Sequence, residues 1–122
     1  MKSAQEQTVS TFLEAFATGN LEDAMSCLHP EVVVEEAESL PHAGRHVGHQ
    51  GFIGIVTKMM DRLEAALTSI EVFDAGAVVV SRIGLTLTSR TTRRQLHTAA
   101  VEIYTVRDGK ILHADVYYKD TL

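Results

Sequence analysis

Between Leu67 and Tyr118 the chain alternates β-prone runs with short turns, and this pattern restricts the fold more than any other feature. Leu67–Phe73 is followed by Asp74-Ala75-Gly76, and Val78–Thr88 by Ser89-Arg90-Thr91-Thr92-Arg93. Leu96–Val106 is followed by Arg107-Asp108-Gly109, and Ile111–Tyr118 is the last run. Strands joined by turns this short pair as antiparallel neighbours, because a parallel crossover needs about a dozen residues or more. A four-stranded meander is therefore expected. In Val78–Leu87 apolar residues fall on both faces, whereas a sheet with one wet face alternates cleanly. Both faces are expected to be covered.

Ahead of the meander the periodicity is helical. Val9, Phe12, Leu13, Phe16 and Ala17 form one apolar stripe, Ser3 with Glu6 reads as a capping box, and Gly19 as a left-handed end. Asn20 is positioned to cap a second helix through Ala24, Met25 and Leu28, which His29-Pro30 would stop. Glu31–Glu36 is a short strand, and Ala37–Gly48 an irregular loop of the long kind that concentrates function. Phe52, Ile53, Val56, Met59, Met60 and Leu63 mark a third helix. Three helices can cover one face of the sheet. A second copy of the chain is the simplest cover for the other, so a homodimer through the outer sheet face is expected. The fold class is α+β, with one domain over residues 1–122.

Composition excludes several partners. A chain of 122 residues with 45% hydrophobic residues can bury a core without disulfides or metals. Eleven basic against sixteen acidic residues give a net charge of −5, which argues against nucleic acid or an anionic membrane. No run approaches the roughly 18 apolar residues of a membrane span, and the N-terminus lacks the apolar core of a signal peptide. The single cysteine, Cys27, lies on an apolar helical face as a buried thiol, so a cytoplasmic setting is expected.

Two carboxylates stand out. Glu102 interrupts Thr98–Tyr104, where a charge is unexpected in a central strand. With a three-residue loop and glycine bulge at Arg107-Asp108-Gly109, Glu102 shares a face with Ala114, Val116 and Tyr118. A two-residue turn would set it opposite Asp115, a destabilising like-charge pair, so the first register is preferred. There Glu102 is either a desolvated carboxyl with a raised pKa, suited to proton transfer, or the partner of Arg82 in a structural ion pair. Alternation places Val32, Val34 and Glu36 on one face, which turns Glu36 inward although it belongs to an acidic cluster with Glu31, Glu35 and Glu38. His42, His46 and His49 invite a zinc reading. They are spread over a Pro/Gly loop, however, and read as solvated loop histidines with one lining a pocket. No metal and no cofactor are expected, and Gly48, Gly51 and Gly54 lack the spacing of a dinucleotide site.

The order of elements resembles the nuclear transport factor 2-like (NTF2-like) superfamily, in its polyketide cyclase-like (SnoaL-like) and ketosteroid isomerase-related branch. The pieces that carry the likeness are Gly19-Asn20-Leu21-Glu22-Asp23-Ala24, Leu40-Pro41-His42-Ala43-Gly44-Arg45-His46-Val47-Gly48, Arg107-Asp108-Gly109-Lys110-Ile111 and Tyr117-Tyr118. The resemblance covers essentially the whole chain. It implies a cone-shaped fold, with three N-terminal helices on a strongly curved antiparallel sheet enclosing a pocket. It also implies either proton transfer on an enone or polyketide-like carbonyl compound, or a non-catalytic homodimer that holds a small apolar ligand or serves as a scaffold. Compared with limonene epoxide hydrolase-like proteins, Arg82 fits but Gly84 and Val116 stand at the acid positions, so that hydrolysis is not expected. Compared with ketosteroid isomerase-like proteins, the base falls on Glu36, the oxyanion acid on Glu102 and a pocket wall on Tyr118, while Phe12 replaces a tyrosine donor. The implied site is Glu36 as base, Glu102 as proton donor or oxyanion partner, Arg82 as orienter, and Tyr104, Tyr118, Phe12 and Val116 as walls.

Overall fold

The computed structural model describes residues 2–120, and in it helical periodicity gives way to sheet at Leu63. The elements are α1 (Ala4–Ala17), α2 (Leu21–Ser26), β1 (Leu28–Glu36), β2 (Gly44–Val47) and α3 (Gly48–Arg62), then β3 (Leu63–Asp74), β4 (Val79–Ser89), β5 (Gln95–Arg107) and β6 (Lys110–Tyr118). Ser3 caps α1 by accepting from the Glu6 amide at 3.2 Å, a contact of the kind worth about 1 kcal/mol. The same end of α1 is tied to the turn after β3, where Ser3 and Gln5 both donate to Asp74. Asn20 caps α2 through Asp23. That helix ends at Ser26, before His29-Pro30, which already belong to β1.

The strands form one curled, unclosed sheet in the order β2-β1-β6-β5-β4-β3. The expected meander is present as β3 to β6, each antiparallel to the next. Two expectations are corrected. The sheet is mixed rather than antiparallel throughout, because β1 runs parallel to β6. The supposed loop 37–48 contains β2, which pairs antiparallel with β1 from Val33↔Val47 to Glu36↔Gly44.

Two bulges set which side chains face inward. At Thr68 the pairing jumps from Leu67↔Leu85 to Ser69↔Gly84, so Leu67 shares a face with Ile70 and Val72 rather than opposing them. Gly84 is small for this reason: a Cβ there would lie 2.6 Å from Thr68 Oγ1 and 2.7 Å from Ser69 Oγ. The last hairpin turns through Asp108 and Gly109, both at positive φ, in a two-residue turn rather than the expected three-residue loop. The register is nevertheless the preferred one, because a bulge at Leu112 moves Glu102 from opposite Asp115 to opposite Val116.

Helices α1 and α3 pack on the inner face of the sheet, where Val9, Leu13, Val32, Phe52, Tyr104 and Ile111 are buried together. On the outer face Phe73, Val101 and Tyr117 are 52%, 38% and 54% exposed.

Candidate functional site

Between the two helices and the inner sheet face lies a cavity of about 70 Å³. Its hydrocarbon wall includes Phe12, Phe52, Leu85 and Val116, and its polar groups are Glu36, His42, Glu102, Tyr104 and Tyr118. No Lys or Arg lines it among the described residues. Phe12 stacks obliquely on Phe52 with ring centroids 5.8 Å apart and meets Tyr104 edge-on at 6.4 Å, spacings at which aromatic pairs attract. The volume is below the roughly 300–1,000 Å³ of pockets for drug-sized ligands, so a molecule of several rings enters only by displacing side chains.

Register brings Glu102 its partners. Ser81 on β4 lies directly across from Glu102 on β5, and Tyr104 follows two residues on along the same face. The Ser81 hydroxyl donates to Glu102 Oε1 at 3.0 Å and the Tyr104 hydroxyl to the same oxygen at 2.6 Å. Burial raises the Glu102 carboxyl above its usual range, while these two donors pull against that shift by favouring the charged form. Burial, then Glu102's charge, raises Tyr104 well above its usual value.

Glu36 reaches the cavity from the end of β1, its side chain only 9% exposed. Burial, and then the charge of Glu102, pushes its carboxyl up to about 8. The Tyr118 phenol is also raised, by burial and then by Glu36 and Glu102, and stays neutral. His42 stands in the turn between β1 and β2, where burial and then His46 lower its imidazole to about 4. Its Nε2 lies 3.6 Å from Glu36 Oε1. The turn is latched by His46, whose Nε2 meets the carbonyl oxygens of His42 and Ala43 at 2.9 and 3.0 Å.

Six of the seven residues singled out by sequence line this cavity: Glu36, Glu102, Tyr104, Tyr118, Phe12 and Val116. Arg82 does not. It pairs with Val101, one residue out of phase with Glu102, and is exposed on the outer face. It therefore neither orients a ligand in the cavity nor forms the ion pair with Glu102. His42, 1% exposed, is the one loop histidine that lines the cavity. His46 and His49 are bound to backbone carbonyls, and no three potential metal ligands cluster among the described residues.

The family profile of the SnoaL-like domain matches residues 9–114. The chain belongs to the SnoaL-like family. No curated protein matches the sequence. Among solved structures, an NTF2-like protein from Burkholderia thailandensis is similar with a TM-score of 0.88 and 18% identity, over 98% of this chain and 92% of that one. A proposed polyketide cyclase from Xanthomonas campestris has a TM-score of 0.82 and 22% identity, over 95% and 90%. TerC, crystallised with polyporic acid, has a TM-score of 0.86 and 20% identity, over 96% and 92%. At these identities the likeness is one of NTF2-like fold.

Within this SnoaL-like domain, sequence reading missed Ser81 as a partner of Glu102, and expected one loop histidine to line a pocket without identifying it as His42. Ser81 was hidden because its register depends on where the β4–β5 turn closes: the observed Thr88↔Gln95 pairing sets it opposite Glu102, and a turn one residue shorter would set it opposite Val101. His42 carried no signal, since nothing in a Pro/Gly stretch says which imidazole turns inward.

Proposed function

We propose that the protein transfers protons without a cofactor, as an isomerase, cyclase or dehydratase, on a small apolar carbonyl compound such as an enone or polyketide fragment. The observation behind this reading is a pair of carboxyls in one oily cavity whose partners differ. Glu36 accepts no hydrogen bond at Oε1 from the described residues and holds its proton to about pH 8, whereas two hydroxyls converge on Glu102. Glu36 is then the acid and Glu102, whose charged form the two hydroxyls favour, the base, the reverse of the division implied by the ketosteroid isomerase-like pattern. Glu102 takes the proton from the carbon beside the carbonyl. Glu36 gives its proton to the carbonyl oxygen as negative charge gathers there, and takes it back from the enol as Glu102 returns its proton to a second carbon, so that both carboxyls end as they began.

The test is proton exchange of cyclohexenone in D₂O, followed by NMR. Wild-type protein should accelerate it. Glu102→Gln, folded by thermal melt, should lose about 10²–10⁴-fold, the usual contribution of a general base. Equal rates in variant and wild type would overturn the reading.

A second reading, a pocket that binds without turnover, is favoured by the cavity of about 70 Å³ and by Phe12 and Val116, which put hydrocarbon where catalytic relatives carry polar groups. In either case the chain works as one domain. The exposed Phe73, Val101 and Tyr117 favour a homodimer through the outer sheet face. Buried Cys27, a free thiol, fits a cytoplasmic setting.

A further inference from the structure

Three buried polar atoms make no hydrogen bond among the described residues: Glu36 Oε1 and both ring nitrogens of His42. His42 is 1% exposed and lines the same cavity as Glu36. The 3.6 Å between Nε2 and Glu36 Oε1 is too long for a hydrogen bond. Buried polar groups are nearly always partnered, and a neutral imidazole has one nitrogen that gives a proton and one that takes it. The neighbouring histidines show what a structural role looks like here: His46 and His49 each meet backbone carbonyls. His42 meets none. Among the described residues the cavity also offers no Lys or Arg to an anion, and the Glu102 carboxylate repels one.

We propose that Glu36 and His42 together bind one hydroxyl or enol oxygen of a neutral, otherwise apolar ligand. The carboxyl donates to that oxygen and the imidazole accepts its hydrogen. This names the polar end of the substrate in the proton-transfer reading, and rests on that reading's choice of the cavity as the ligand site. Hydrocarbon from Phe12, Phe52 and Val116 receives the remainder of the molecule. Carboxylates and phosphates are rejected by the nearby Glu102 carboxylate, with no cation among the lining residues to offset it.

The test uses phenol, toluene and benzoate as probes, with affinities from calorimetry and the His42 ring nitrogens followed by ¹⁵N NMR. Phenol should bind wild-type protein at least about tenfold more tightly than toluene, in line with one or two hydrogen bonds, and benzoate should not bind. Phenol should move the His42 nitrogen resonances and toluene should not. His42→Phe keeps the ring and removes both nitrogens, so the phenol preference should largely vanish. If that variant does not fold, the wild-type ring shifts decide alone. The proposal is overturned if phenol fails to bind or matches toluene, if benzoate binds better than phenol, or if folded His42→Phe retains the preference. These are binding equilibria. Phenol selectivity without enone exchange would remove only the chemistry, and exchange without phenol selectivity would remove only this assignment.

Discussion

Ser81 and Tyr104 act on one oxygen of Glu102, and their effect can be measured singly. Both hydroxyls favour the charged carboxylate, so Tyr104→Phe should raise the Glu102 pKa further, as read from its ¹³C carboxyl resonance across pH. Glu36 and His42 have opposite linkage to stability. Glu36 holds its proton more tightly when folded, so its contribution is complete below its ordinary 4.5 and lost as the pH rises through about 8. His42 is held neutral, so its contribution is present above 6.5 and lost as the pH falls through about 4. Between pH 6.5 and 8 only the Glu36 slope remains of the two. Melting temperature should fall across that interval, and Glu36→Gln should remove much of the fall. At this scale the sequence reveals Glu102, because a charge in a β-branched strand is conspicuous. It misplaces Arg82, because a side-chain contact across strands depends on a register parity that the turn alone does not set.

The strands are visible in the sequence because their apolar alternation and turns are local signals. The bulges are not. Thr68 and Leu112 are ordinary strand residues, and each reverses the facing of the residues after it only because its partner strand lacks a matching residue. Nor is β2, whose Gly44–Val47 has too little apolar content to stand out, or the parallel pairing of β1 with β6, whose partners are remote in sequence. The Thr68 bulge gives a specific expectation. Gly84→Ala would set a methyl 2.6 Å from Thr68 Oγ1, forcing the bulge to shift at a cost of about 1–3 kcal/mol, measured by urea unfolding. At the start of α3, a Cβ at Gly51 would lie 2.9 Å from the His46 carbonyl carbon. Gly51→Ala should therefore displace β2 and loosen the turn latched by His46, seen as faster amide exchange at Leu40 and Ala43, whose amides hold that turn.

On the molecule as a whole, Arg82, Val101 and Tyr117 form one row across the outer sheet face, with Phe73 nearby. If a second copy covers this face, wild-type protein should sediment as a dimer, and Val101→Lys with Tyr117→Lys should yield a folded monomer. The covering of the other face by α1 and α3 was readable from helical stripes, whereas the identity of the outer cover was not, since a single chain's pattern records only that apolar side chains are there. The pairing of β1 with β6 has a consequence for synthesis. Val33 to Glu35 dock on His113 to Asp115, so the strand that delivers Glu36 can pair with β2 early but gains its other neighbour only once β6 has been made. On the ribosome, α1, α2 and β1 must wait, unsupported on that side, until β6 emerges. Nascent chains halted before Lys110 should be protease-sensitive along their whole length rather than carrying a partly built pocket.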